Sequence, residues 1–422
     1  MRVPPGTRPI VLLIATLDTK SEEALYLKEH LEELRCPVLL MNTGVLGTFN
    51  GRVDFDAQEV AHAGGADLDE LQASGDKGRC IAAMSAGARE LARSLHSAGR
   101  FVGVIGIGGA QGTEIGTAAM RGLPFGVPKL MVSTVASGRA TFGTYVDTKD
   151  LMLMHSVADL QGLNTITRGV LDNAAAAMYG MCSALVAARP KRRPLRRERP
   201  SVAVSMLGTT TPGALRVKSI LGAHGFDFVA FHQNGTGGIA MEDMIAEGLF
   251  VGVMDLNLHE IGDAVHGGLH GAIRDYRLKT AGRKGIPQVV APGSVNYTVL
   301  GPLDSLPAEL KRRRHVVHNP SLTLVRLSIA ELQEAARIVA DRLNACRGPT
   351  HVFVPLRGFS FPDREGLPLW EPEGNQVFID TLKERLDPHI PLDEIDAHIN
   401  DPEFVDPVSE EFLAMLDRHQ RR

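Results

Sequence analysis

Cysteine is scarce in this chain and badly spaced for cross-linking. Cys36, Cys80, Cys182 and Cys346 lie far apart, and none forms a C-x-x-C pair. That spacing disfavours a disulfide framework or a structural zinc site, and the thiols read as small core residues. Aromatics are scarce too, at 5% with a single tryptophan, which argues against a base-stacking platform. Neither sign of charge prevails: 45 Lys and Arg against 49 Asp and Glu leave a formal charge of -4. Such a balance gives no overall pull toward nucleic acid or a membrane. The apolar run at residues 10–15 is too short for a signal core or a membrane span, so a cytoplasmic protein is expected.

What the chain has in excess is glycine, 44 of its 422 residues, against an average of about 7%. Many tight turns around aliphatic cores suit α/β nucleotide folds. At roughly 100–200 residues per domain the length implies two or three domains. Ile10-Val11-Leu12-Leu13-Ile14-Ala15 reads as a strand buried on both faces. A helix follows, with Thr19 and Glu22 at capping-box spacing, and then a strand at residues 37–41. Residues 101–106 read as another buried strand running into Gly106-Ile107-Gly108-Gly109-Ala110-Gln111-Gly112-Thr113 and an alanine-rich helix. A strand at 129–132 and a helix at 172–188 complete this half.

The stretch 189–200 has three prolines and a dense run of positive charge. It reads as a solvated linker or, as the rival reading, a patch for RNA or an acidic partner. Strands then restart at 201–206, 226–231, 251–255, 288–290 and 351–356. The expected fold class is α/β, with two Rossmann-like doubly wound subdomains, mostly parallel sheets and an interdomain cleft. The boundaries are 1–188 for an N-terminal nucleotide-binding domain, 189–200 for the linker and 201–422 for a C-terminal Rossmann-like domain.

Ligands of open α/β sheets sit at the carboxyl ends of strands, where helix N-termini present unpaired amides and glycine admits phosphate. The loop carrying Gly106, Gly108, Gly109, Gln111, Gly112 and Thr113 is the strongest such signal. It departs from the dinucleotide fingerprint and lacks the Lys-Ser or Lys-Thr of a Walker A loop. Asp18, Thr19 and Lys20 end the first strand, with Lys20 a phosphate partner and Asp18 a holder of metal-bound water or a ribose hydroxyl, or the pair a plain cap and a solvated lysine. Gly44 ends the second strand. Ser133, Thr134, Ser137 and Gly138 either line the same pocket or form a polar turn. In the second half Thr209-Thr210-Thr211 and the turn from Gly235 to Gly238 are candidate anion grips. His232, Asp255, His259 and Glu260 are acid–base candidates, and Arg357 is a bidentate clamp. No metal site is expected: His259-Glu260 continues to Asp263, not to a second histidine.

Ala15-Thr16-Leu17-Asp18-Thr19-Lys20, Gly106-Ile107-Gly108-Gly109, Gly235-Thr236-Gly237-Gly238 and Asp396-Ala397-His398-Ile399-Asn400-Asp401-Pro402 occur in this order. Together they resemble the family named for the N-terminal domain of the tomato mosaic virus resistance protein, whose bacterial and fungal members are largely uncharacterised. The resemblance implies two Rossmann-like subdomains, ATP in the N-terminal one, and a homodimer. The antiviral role of the plant protein rests on a surface matched to one partner and is not carried over. The expectation is therefore a nucleotide-binding protein taking ATP, alone or with Mg2+. Two alternatives stand beside it. One is an ATP-dependent or hydrolytic enzyme for a small carboxylate or phosphate substrate in the interdomain cleft. The other is a regulatory protein- or RNA-binding module.

Overall fold

A computed structural model describes residues 8–47, 49–137, 141–191 and 199–421. The chain divides into two compact units, Met1–Leu195 and Arg196–Arg422. The strands of the N-terminal unit are β1 (Val11–Ala15), β2 (Val38–Asn42), β3 (Gly103–Gly108), β4 (Lys129–Ser133) and β5 (Met152–His155). All pairings are parallel, in the order β2-β1-β3-β4-β5. Every residue of β1 is buried. Leu12 and Ile14 join one core with Met84, Ala88 and Ile115, whereas Val11, Leu13 and Ala15 join the other with Leu27, Leu171 and Met178. Successive side chains leave a strand on opposite faces, so a sheet covered on both sides requires an unbroken apolar run. Fully burying each large aliphatic contributes about 1.5–3 kcal/mol.

Between β2 and β3 lie three helices, Ala57–Ala63, Leu68–Ser74 and Lys77–Ser97, each capped by an aspartate (Asp56, Asp67, Asp76) that accepts from an amide three residues on. The expected capping box of Thr19 and Glu22 is absent. The helix Ser21–Glu33 starts after Lys20 with no side-chain cap, because the Thr19 hydroxyl turns back to Thr16, 3.3 Å from its Oγ1. The strand β3 also runs two residues further than expected, so Gly108 belongs to the sheet as Gly106 does, not to a loop. The closing helix, Thr165–Lys191, begins before residue 172 and ends inside the expected linker. Residues 192–198 of that linker lie outside the described ones. By length and composition Thr165–Ala187 is apolar enough to cross a membrane; Leu171, Ala174, Ala175, Met178 and Cys182 spend that apolarity on the sheet.

The C-terminal unit carries β6 (Ser201–Met206), β7 (Asp227–His232), β8 (Gly252–Asp255), β9 (Gln288–Val290), β10 (Tyr297–Leu300), β11 (His315–Asn319), β12 (Leu322–Arg326), β13 (Thr350–Pro355) and β14 (Leu392–Ile395). Six form a parallel sheet in the order β14-β13-β9-β8-β6-β7. The other three form a separate antiparallel sheet, β10-β12-β11, which the sequence reading did not foresee. Both units are thus doubly wound parallel sheets, and in each the strand order reverses beside the first strand: between β1 and β3, and between β6 and β8.

Candidate functional site

The reversal between β1 and β3 opens a crevice at the carboxyl ends of those strands, where doubly wound sheets bind ligands. A cavity of about 210 Å³ sits there, with Asp18, Thr19 and Lys20 on one wall and Gly109, Gln111 and Gly112 on another. Thr16, Leu46 and Lys77 complete it. The sequence brought six of the expected residues to this one place.

Gly109 caps the helix Ala110–Arg121, and the first amide to find a helical carbonyl is that of Thr113, 2.8 Å from the Gly109 oxygen. The three amides before it lie ahead of the intrahelical ladder. Gly108 and Gly112 act by being small. A Cβ on Gly108 would stand 2.7 Å from the Gly112 Cα, so their absence of side chains lets helix and strand meet closely. Gly106 faces inward, where a Cβ would meet the Met131 sulfur at 2.7 Å. Gly106 and Gly108 therefore position the loop and do not themselves line the cavity.

Asp18 is held by the Leu46 amide, 2.8 Å from its Oδ2. Gly44 makes room for it, since a Cβ there would lie 2.6 Å from the Asp18 Cγ. Lys20 is not a free cation: it is buried, its ammonium donates to the Leu160 carbonyl, and Asp159 lies 4.0 Å away. The exposed cation of the cavity is Lys77, at the start of its helix, a residue the sequence reading passed over. Thr113 and Ser133 are fully buried and bond each other at 2.7 Å, fastening β4 to the helix behind the cavity. The Thr134 amide donates to the Gly108 carbonyl at 3.2 Å. Ser137 bonds His155 at 3.2 Å on the surface, away from the lining residues, and Gly138 lies outside the described residues.

In the C-terminal unit several expected site residues serve the fold. The turn from Gly235 to Gly238 already holds an acceptor from its own chain: Glu260 Oε1 takes the amides of Gly235 at 2.8 Å and Gly238 at 3.2 Å. Asp255 and Glu260 lie, with Glu242, around the buried guanidinium of Arg277, whose Nη2 is 2.9 Å from Asp255 Oδ1. Burial pushes the carboxyls of Glu242 and Glu260 up, against the pull of Arg277. Arg357 clamps a carboxylate, but it is Asp396 at the surface, with both contacts at 2.7 Å. Thr210 and Thr211 fold back on the Leu207 backbone.

His232 fares differently. It ends β7 and lines a second cavity, of about 390 Å³, together with Thr209, His270, Tyr297 and His318. His259 is fully buried behind His270, its Nε2 3.2 Å from His270 Nδ1, and burial holds its imidazole down to about 4. The sequence reading missed His270, Tyr297 and His318, because only the tertiary fold brings them to the β6 loop. Among the described residues no three His, Cys, Asp or Glu side chains converge to hold a metal ion.

The comparisons agree along the whole length of the chain. Residues 9–187 match the N-terminal domain, and residues 199–416 the C-terminal domain, of the uncharacterised protein family UPF0261. A UPF0261 protein of Clostridium tetani is 35% identical over 97% of this chain and 99% of its own. One from Mesorhizobium japonicum is 35% identical over 94% of this chain and 97% of its own. The tomato ToMV resistance protein Tm-1(GCR237) is 31% identical over 96% of this chain, which spans 55% of that longer protein. With both of its domains present in order, the chain belongs to the UPF0261 family.

Proposed function

We propose that the N-terminal unit binds a nucleotide, ATP, with its phosphates against the amides of Ala110, Gln111 and Gly112. The observation that supports this reading is the cavity at the β1/β3 reversal, walled by the first turn of the helix Ala110–Arg121. Amides ahead of the helical ladder carry unsatisfied hydrogens, and the aligned peptide dipoles add about half a positive charge. An anion satisfies both. Lys77 adds a full charge at the rim.

A cavity of about 210 Å³ suits the phosphate arm, and the nucleoside then lies across the open rim, where Leu46 is 80% exposed. Asp18 is the carboxylate at hand for a phosphate-bound Mg2+, an ion that commonly takes one or two carboxylates and completes its shell with phosphate and water.

Titration calorimetry with ATP, with and without Mg2+, tests the reading. Reversing one rim charge, Lys77→Glu, should weaken binding about tenfold and flatten its salt dependence. ATP heats indistinguishable from dilution in the unaltered protein would overturn the proposal.

A further inference from the structure

The cavity lined by Thr209, His232, His270, Tyr297 and His318 carries two functional groups, a base and a hydroxyl donor. The first is a base. His259 Nδ1 lies 3.2 Å from the Ser294 carbonyl, and a carbonyl only accepts, so that nitrogen carries the hydrogen. Full burial keeps the ring neutral, which leaves Nε2 as a bare acceptor. His270 Nδ1, 3.2 Å away, must donate to it. In neutral His270 the lone pair then sits on Nε2, which has no hydrogen-bond partner among the described residues. The His270 backbone is held by Asp263, which takes the His270 amide on Oδ2 and the Thr298 hydroxyl, at 2.7 Å, on Oδ1.

The second group is a hydroxyl donor. Thr209 Oγ1 bonds Ser294 Oγ at 2.7 Å and Tyr297 Oη at 2.9 Å. Ser294 is a side-chain partner of Tyr297 as well. Asn257 Nδ2 already donates to Ser294 Oγ at 3.1 Å. Thr209 and Tyr297 each carry an O–H that can turn from these partners to an oxygen in the cavity. Both line the cavity. Burial pushes the Tyr297 phenol up to about 12, so it stays a donor at neutral pH. Leu207, Val299 and Leu324 supply an apolar wall to the same cavity.

We propose that this cavity takes a small enolisable carbonyl compound with an apolar tail, whose oxygen accepts from the Thr209 or Tyr297 hydroxyl and whose α-proton goes to His270 Nε2. The α C–H bond breaks, its electron pair becomes the C=C bond of an enolate, and the carbonyl π pair moves to oxygen. Return of a proton from His270 closes the cycle without any co-reactant. Two charged groups act on the titration of His270, Asp263 raising it and His232 lowering it, while His259 and His318 are the other imidazoles beside it. Burial, ahead of the opposing pull of Asp263, lowers it below the usual histidine value.

The test is hydrogen exchange. The full chain in D2O is given 2-oxooctanoate, and the C3 proton signal is followed by NMR. Positioned proton transfer contributes about 100-fold or more, so exchange should exceed the buffer rate by at least that factor. It should rise with pH to a plateau whose midpoint lies below 6.5, and fall to background in His270→Gln. A thermal melt of that variant and the shift of the His270 ring proton on adding the probe to the unaltered protein separate loss of a base from loss of the fold. Exchange at the buffer rate, exchange retained by a folded His270→Gln protein, a rate without that inflection, or a ring proton that ignores the probe would each overturn the assignment.

Discussion

Glu260 Oε1 lies 2.8 Å from the amide nitrogen of Gly235, so the glycine turn that resembles an anion grip is closed by the protein's own carboxyl. The opposite edge of that carboxyl, Oε2, stands 4.0 Å from the Arg277 Nε. Arg277 faces Glu242, Asp255 and Glu260 together in this buried group. Removing one partner of a buried ion pair strands the other. Arg277→Met should therefore cost about 3–5 kcal/mol at neutral pH, read by urea unfolding, and less in mild acid, where the carboxyls take up protons.

The close approach of Gly108 and Gly112 makes a steric prediction. Gly108→Ala puts a Cβ 2.7 Å from backbone that cannot swing away. Overpacking of this kind costs about 1–3 kcal/mol. Gly109→Ala, whose Cβ would meet nothing nearer than the Thr134 Oγ1 at 3.7 Å, should lose only the preference for glycine over alanine at a helix cap, a smaller fall in melting temperature. Thermal melts of the two variants check the contrast.

His259 and Asp363 should give pH dependences of opposite sign. His259 is held down to about 4 by burial, so below its ordinary value the unfolded chain takes the proton more readily than the folded one. Its contribution is present above pH 6.5 and is lost as pH falls toward 4. The stability margin of the wild type over His259→Asn should shrink across that window in denaturant titrations.

Asp363 is pushed up to about 6, chiefly by burial and against the pull of Arg326. The folded state therefore binds the proton more tightly. Its contribution is complete below pH 3.8 and is lost as pH rises through 6. Relative to Asp363→Asn, the wild type should gain stability as pH falls from 6 to 4. An unchanged difference would contradict the burial argument.

The sheet was legible because double burial writes itself into a strand: residues 10–15 allow no polar position. The first cavity was legible for a related reason, since Asp18 and Gly109 end neighbouring strands. Much else was not. The helices between β2 and β3 went unread, although Asp56, Asp67 and Asp76 each announce a start, and Lys77 was missed with them. Glycine turns told where amides gather but not what fills them, as Gly235 and Glu260 demonstrate across 25 residues of sequence. The His259–His270 pair and the Thr209–Tyr297 bond, which spans 88 positions, depend on the antiparallel β10-β12-β11 sheet. Its short strands carry no periodic signal long enough to read.

The central claim concerns the amides behind Gly109, and Gly109→Asp tests it most directly. The residue caps its helix in extended backbone, φ -75° and ψ -161°, which aspartate adopts readily. An aspartate cap is worth a few tenths of a kcal/mol over glycine, and its carboxylate would take the amides assigned to phosphate. The account predicts a melting temperature equal to or above that of the wild type and ATP affinity reduced at least tenfold by calorimetry. A folded Gly109→Asp protein that binds ATP as tightly as the wild type would contradict it.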